Sequence, residues 1–158
     1  MSRGSPGKTL PPAGTSALIK VILDTNVLLS ALLSPVGPPA QLLEAWERKK
    51  IVVVASDALI AELRDVTSRP FFQARLRAST IDLLAAGVRD LSEFCADPPQ
   101  EVVAPDAKDS FLLAVAEERR ADFLVTGDKE LLALKHQGPT RIITPVAIIN
   151  VLKSGGGE

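Results

Sequence analysis

The chain has 158 residues, a formal net charge of −1 and 46% hydrophobic residues. This length fits one domain with a substantial core, and no apolar stretch approaches the roughly 20 residues of a membrane-spanning helix. The near-neutral charge gives no basic footprint, and aromatic residues make up only 4% of the chain, which argues against nucleic-acid binding by base stacking. A single cysteine, Cys95, excludes an intrachain disulfide. A single histidine, His136, which we expect in a surface loop, excludes a multi-histidine zinc site within one chain.

The cysteine count fits a reducing compartment, so we expect a cytoplasmic protein. Residues 1–17 are rich in Gly, Pro, Ser and Thr and lack the apolar centre of a secretion signal, which predicts a disordered leader. Residues 154–158 are predicted to be a flexible tail. The single folded domain is therefore expected over residues 18–153.

Strands and helices alternate along this domain. Apolar or β-branched runs predict strands at 20–23, 51–55, 123–126 and 141–143, with a further short segment of the sheet at 90–95. Helices are predicted at 26–33, 40–49, 57–68, 79–88, 107–119, 129–135 and 145–152. Continuous apolar runs are typical of parallel strands buried on both faces. We therefore predict a three-layer α/β/α sandwich with a mostly parallel sheet of four or five strands.

Two acids follow predicted strands directly. Asp24 ends the apolar run 20–23, and Asp128 comes two residues after the run 123–126. In sheets of this kind, ligands bind beyond the carboxyl ends of the strands. We therefore expect the chemistry of the protein at this edge.

Two further acids lie near the apolar faces of predicted helices. Glu62 borders the stripe formed by Leu59 and Leu63, and Asp109 projects along the same face as Leu112. Carboxylates that point toward a sheet are costly if they are unpaired, and clustered acids raise one another's pKa. A hard cation such as Mg²⁺ or Mn²⁺ removes both penalties, because it prefers carboxylate oxygen and water as ligands.

Each acid also has a purely structural interpretation. Asp106 and Asp109 suit the first turn of a helix, Asp128 suits the cap of the helix after it, and Glu62 suits an ion pair with Arg64. Asp24, which ends the first predicted strand, is the hardest to explain by a structural role alone. The joint pattern favours a metal site more strongly than any single residue does.

Four motifs, taken together, resemble the PIN-domain family over residues 20–152. They are D-T-N-V at 24–27, S-x-x-x-x-x-E-L at 56–63, D-x-x-D-x-x-x-L-x-x-A at 106–116 and A-D-x-L-V-T-G-D-K-x-L-L at 121–132. The stretches SPVGPPAQLLEA and ELRDVTSRPFF are most similar to a bacterial and archaeal branch described as toxin components of toxin–antitoxin systems.

The resemblance implies a metal-dependent ribonuclease. By position, its catalytic acids and ligands for Mg²⁺ or Mn²⁺ are Asp24, Glu62, Asp109 and Asp128, with Asp106 as a support or outer ligand. It also implies an RNA substrate, a homodimer and an antitoxin protein whose tail covers the acidic pocket.

Several polar and basic residues are candidates for supporting roles. Thr25, Asn26 and Thr126 could orient water or an acid, or could simply make turn and cap hydrogen bonds. A set of basic residues could contact phosphate at the rim of the site, although solvated surface charge explains most of them: Lys108, Lys129, residues 48–50, Arg69, Arg75 and Arg77.

The apolar character of two helical stretches also suggests a homodimer. Residues 28–33 and 42–46 look apolar on more than their core faces, and a small monomer rarely exposes such surface. The alternative is that the two stretches pack against each other as a helical hairpin.

Other functions remain open on the sequence alone. The same acids could serve a metal-dependent phosphatase or a nuclease acting on another phosphoester, although a haloacid-dehalogenase-type phosphatase would carry D-x-D where this chain has D-T-N. A phosphoacceptor receiver domain would need a paired acidic cluster after the first strand, which is absent. A non-catalytic, acid-lined domain that binds RNA or protein is the third alternative.

Overall fold

A computed structural model describes residues 18–97 and 110–155 of the chain. The predicted leader at 1–17, the acids Asp106 and Asp109, and residues 156–158 of the predicted tail lie outside these ranges. The strands of the described part are β1 (Ile19–Leu23), β2 (Ile51–Ser56), β3 (Glu93–Cys95), β4 (Phe123–Val125), β5 (His136–Gln137) and β6 (Thr140–Ile143).

Helices connect these strands much as the sequence predicts. They are α1 (Thr25–Leu33), α2 (Pro38–Glu47), α3 (Asp57–Thr67), α4 (Pro70–Gln73), α5 (Ala78–Leu91), α6 (Ser110–Arg119), α7 (Lys129–Leu134) and α8 (Pro145–Gly155). The short helix α4 was not predicted, because Pro70 opens a single turn with no apolar period to reveal it. Helix α5 takes residues 90 and 91 from the segment predicted as strand. Helix α8 runs two residues into the predicted tail.

The strands form one mostly parallel sheet in the order β3-β2-β1-β4-β6-β5. Only β5 is antiparallel, and it pairs with β6. The described residues therefore give six strands rather than four or five, because β5 has only two residues and does not stand out as an apolar run. His136 lies in this edge strand, exposed, and not in a loop.

The chain order of the strands explains the three layers. The steps from β1 to β2 and on to β3 run in one direction, and the steps from β3 to β4 and on to β6 run in the other. Right-handed crossovers place α1 to α5 on one face of the sheet and α6 and α7 on the opposite face. Helix α8 packs on α2. The direction of winding changes between β1 and β4. The carboxyl ends of these two strands are therefore the topological switch point of the fold.

Helices α1 and α2 pack against each other and contribute to the core. Leu28 and Leu29 of α1 and Leu42 of α2 are at most 1% exposed, and Trp46 donates its indole N–H to the carbonyl oxygen of Leu91 at 3.0 Å. The helical hairpin therefore accounts for most of the apolar surface of these two stretches. Within the described ranges, every helix is too short or too polar to cross a membrane.

The N-terminus of α3 is capped by a distant residue. Ser56 occupies the cap position, but its hydroxyl makes no capping hydrogen bond. The Asp97 carboxylate accepts from the N–H of Ala58 instead, at 3.2 and 3.4 Å. An anionic side chain at a helix N-terminus is stabilising because it meets free N–H groups and the positive end of the dipole.

We therefore expect Asp97→Ala to lower the free energy of unfolding by about 1 kcal/mol, since it removes this partly exposed, charge-assisted bond. Urea denaturation measures the change. Asp90→Ala is the matched control, because Asp90 is exposed on α5 and its side chain makes no hydrogen bond or ion pair in the described structure. Equal effects of the two substitutions would show that the Asp97 cap has no energetic role.

Candidate active site

Asp24 lies where β1 ends and α1 begins. Its side chain is only 5% exposed, and it is the N-cap residue of α1, accepting from the N–H of Asn26 at 3.4 Å. Its backbone N–H donates to the carbonyl oxygen of Val125 at 3.0 Å, which continues the pairing of β1 with β4. The acid therefore lies at the switch point predicted for a ligand site.

Thr126 connects Asp24 to the start of α7. Its hydroxyl donates to Oδ2 of Asp24 at 2.7 Å and accepts from the N–H of Asp128 at 3.0 Å. The threonine is fully buried. This single hydroxyl holds the ends of two neighbouring strands, and the acids that follow them, in a fixed relation.

Asp128 caps α7 with one carboxylate oxygen. Its Oδ1 accepts from the N–H groups of Glu130 at 2.8 Å and Leu131 at 3.4 Å. The predicted capping role is therefore confirmed. Because both bonds use Oδ1, the second oxygen is left available for another partner, and capping and ligand binding are compatible.

Glu62 reaches the same region from α3. Its Oε1 accepts from the hydroxyl of Thr25 at 2.8 Å, and Thr25 is the buried residue that follows Asp24. The alternative ion pair with Arg64 does not form, because Arg64 pairs with Asp82 at 2.6 Å. Glu62 is therefore directed toward the strand ends.

The electrostatic environment of Asp24 opposes its charge. Burial raises the pKa of the Asp24 carboxyl above its ordinary value, and the negative charge of Asp128 raises it further. Hydrogen bonds from Thr126 and from the N–H groups of Asn26 and Thr25 act in the opposite direction. The pKa is raised overall, and positive charge placed beside the carboxylate would lower it again.

Ser56 adds a buried hydroxyl at the same edge of the sheet. Val21 of β1 lies opposite Val53 of β2, and counting on from this pair brings Ser56 level with Asp24. Among the residues that the structure describes, the Ser56 hydroxyl has no hydrogen-bond partner. Such an unpaired buried polar atom is unusual, and an ordered water or ion is one way in which proteins satisfy it.

The described residues do not bring the whole predicted acid set together. Across residues 18–97 and 110–155, no three His, Cys, Asp or Glu side chains form a group able to hold a metal ion. Asp109 and Asp106 lie outside those ranges. The Asn26 side chain is exposed, and this residue contributes its backbone N–H rather than its amide.

The donor chemistry nevertheless fits a hard divalent cation. Asp24 and Asp128 offer carboxylate oxygens, and the ion pairs of the described residues involve neither acid. A cation would counter both the burial and the repulsion that raise the pKa of Asp24. Mg²⁺ and Mn²⁺ prefer such ligands.

The sequence identifies two of the residues that position the acids but not their partners. Thr25 and Thr126 are candidates to orient an acid, and in the structure each donates its hydroxyl to an acid far away in the chain. Asp97 was missed altogether, because it accepts from the N–H of Ala58, 39 residues before it in the chain. Nothing in the local sequence signals an interaction of that separation.

The chain is similar in sequence to known proteins. The sequence profile of the PIN domain matches residues 20–130. The uncharacterized protein MJ1680 of Methanocaldococcus jannaschii is 30% identical over 120 residues, which cover 75% of this chain and 77% of that protein.

Two solved structures have a similar fold. PAE2754 from Pyrobaculum aerophilum superposes with a TM-score of 0.59 at 19% identity, covering 93% of this chain and 97% of that one. VapBC2 from Rickettsia felis, bound to a DNA fragment from its promoter, gives a TM-score of 0.56 at 15% identity, covering 80% of this chain and 98% of that one. The profile match spans well over half of the chain and includes the positions of all the predicted catalytic acids, so this chain belongs to the PIN-domain family.

Proposed function

We propose that this protein is a metal-dependent ribonuclease and the toxin of a toxin–antitoxin pair. The observation that carries the proposal is the buried Asp24 carboxylate at the switch point, tied through Thr126 to Asp128 and adjacent, through Thr25, to Glu62. PIN domains are generally divalent-metal-dependent nucleases. That family property supports the nuclease activity, and the sequence resemblance supports RNA as the substrate.

In this proposal, Asp24, Glu62, Asp109 and Asp128 hold Mg²⁺ or Mn²⁺, with Asp106 in support. When bound, such a cation lowers the pKa of a coordinated water and neutralises charge on the phosphodiester. Thr126 and Thr25 fix the orientation of Asp24 and Glu62 by donating to one oxygen of each. The unpaired Ser56 hydroxyl is available to orient a water. The water oxygen attacks phosphorus and gives up a proton to solvent as the bond to the leaving oxygen breaks. The leaving oxygen takes up a proton from solvent, so one water is consumed for each bond cleaved.

We also propose protein partners for the chain. VapBC2 is a complex, and its fold similarity supports an antitoxin partner that covers the acidic site. The homodimer proposal rests on a groove between α5 and the hairpin of α1 and α2, which Leu32, Leu43 and Trp46 also line. Leu83 and Leu91 of α5 are 74% and 66% exposed beside a mostly apolar groove of about 310 Å³.

We expect Asp24→Asn to reduce Mg²⁺- or Mn²⁺-dependent cleavage of single-stranded RNA by at least about 100-fold, because a lost ligand removes several kcal/mol of transition-state stabilisation. A cleavage time course with and without EDTA measures this. Asp90→Asn, on the exposed face of α5, is the control and should retain full activity. Undiminished cleavage by Asp24→Asn would reject Asp24 as a ligand, and undiminished cleavage in EDTA would reject metal catalysis. Binding without cleavage by the wild-type chain would favour the non-catalytic alternative.

We expect the same Asp24→Asn variant to be more stable than the wild type in EDTA near pH 7. The folded state raises the pKa of Asp24, so the folded protein binds that proton more tightly than the unfolded chain does. The contribution of Asp24 to the wild-type free energy of unfolding therefore falls as pH rises above about 4, the ordinary pKa of aspartate. The neutral amide of Asp24→Asn does not titrate, so the variant lacks this pH dependence.

Thermal melts across this pH range measure the difference. The advantage of Asp24→Asn should be large at neutral pH and should vanish below about pH 4, where the wild-type carboxyl is protonated in both states. Saturating Mn²⁺ should raise the melting temperature of the wild type only. A pH-independent difference, or one of opposite sign, would contradict this account of Asp24.

We expect light scattering to show a mass of twice 16.8 kDa for the wild type. Leu83→Glu should shift it to 16.8 kDa, because a carboxylate at an apolar interface is costly to bury. Val146→Glu, which places the same charge at a 56% exposed site on α8, is the control. A wild type that stays monomeric at high concentration would rule out the homodimer.

A further inference from the structure

The corner formed by residues 69–77, called here the α4 corner, presents an aromatic ring outside the core. Phe71 is 50% exposed, and the guanidinium carbon of Arg75 lies 3.8 Å from its ring centroid. Arg75 also donates from Nη1 to the carbonyl oxygen of Phe71 at 2.8 Å, so the stacked pair is held at two points. The ring of Phe72 meets Phe71 edge to face at 5.0 Å and packs against the core. The exposed ring is therefore fixed in place.

The α4 corner is also positively charged on a chain of net charge −1. Residues 68–81 contain Arg69, Arg75 and Arg77 and no acidic residue. Arg69 has only a long contact of 3.5 Å with Asp65, and Arg77 makes no ion pair within the described ranges. Three guanidinium groups thus share one short segment with the exposed ring.

Hydrogen bonds fix the α4 corner to the helix that carries Glu62. The amide of Gln73 donates to the carbonyl oxygen of Thr67 at 2.5 Å, and the Thr67 hydroxyl donates to the carbonyl oxygen of Leu63 at 2.7 Å. Leu63 is the neighbour of Glu62 and is fully buried. From Glu62 to the end of α3 the rise is about 7.5 Å, and the α4 corner begins two residues after that end.

We propose that the α4 corner binds single-stranded nucleic acid, with one unpaired base stacked on Phe71 or on the outer face of the Arg75 guanidinium. This inference rests on the proposed nuclease function and deepens it by assigning a substrate-binding surface. Aromatic rings and arginine planes are the usual stacking partners of splayed bases. Arg69 and Arg77 contact the flanking phosphates. The phosphates of a nucleic acid complement the arginines, and its bases complement the exposed ring. An apolar protein surface would complement only the ring.

The test uses the Asp24→Asn chain in EDTA, so that RNA is bound without being cleaved. Fluorescence anisotropy compares this parent with the double variants that add Phe71→Leu or Phe71→Trp, using a short unstructured RNA. Leucine keeps the apolar volume but removes the stacking face, so affinity should fall at least about fivefold. Tryptophan should retain it. An abasic strand of the same length should bind the parent and both double variants equally.

Two controls separate stacking from charge and from folding. Adding Arg120→Gln removes an exposed arginine just past the end of α6 and should leave affinity unchanged. Adding Arg75→Gln together with Arg77→Gln should lower the salt dependence of binding. The slope of the logarithm of the binding constant against the logarithm of salt concentration should become less steep by about 0.7 for each phosphate that is no longer neutralised. In the otherwise wild-type chain, Phe71→Leu should raise KM with kcat unchanged, as expected when uniform binding is weakened. Circular dichroism checks the fold of each variant.

Specific outcomes would overturn the proposal. Equal affinity of the Phe71→Leu and Phe71→Trp double variants for the base-containing strand would exclude stacking at Phe71. Stacking would also be excluded if Phe71→Leu reduced affinity for the abasic strand as much as for the base-containing strand. A Phe71→Leu variant with changed oligomeric mass and unchanged RNA affinity would identify the corner as an interface between copies. If the wild type cleaves RNA and the Phe71 variants behave alike, only this inference fails. If the wild type neither binds nor cleaves RNA, the proposed function fails as well.

Discussion

The hydrogen bond from Thr126 to Asp24 is the interaction around which the candidate site is organised. It joins residues 102 positions apart at 2.7 Å, and it forms because β1 and β4 are neighbours whose pairing ends at Leu23 and Val125. Asp24 is the residue after Leu23, and Thr126 is the residue after Val125. The winding of the sheet reverses between these two strands, so no helix crosses over their ends. An open, polar edge results where the rest of the sheet is apolar.

Burial makes this edge chemically distinctive. A carboxylate removed from water is costly unless hydrogen bonds or opposite charge compensate it. Asp24 receives hydrogen bonds, yet its pKa is still raised, first by burial and then by the charge of Asp128. A cation at this edge, as in the proposed function, would counter both effects on Asp24.

Helix α3 connects the site to two other features of the molecule. Its N-terminus is capped by Asp97 after β3, its middle carries Glu62, and its C-terminal end is bonded to the α4 corner. A shift of this helix would move the acid and the exposed Phe71 together. Hydrogen bonds thus hold α3 at both ends.

The sequence by itself determined the α/β class, the four main strands and the placement of Asp24 and Asp128 at strand ends, because apolar runs and cap residues are local signals. It also identified the apolar stripe that directs Glu62 inward. Only the tertiary structure decided the strand order, and with it the adjacency of Asp24 and Thr126. It also decided that Arg64 pairs with Asp82 and that Asp97, rather than Ser56, caps α3. These interactions join residues far apart in sequence. Which of several compatible residue pairs forms therefore depends on how the elements pack, and no local sequence pattern contains that information.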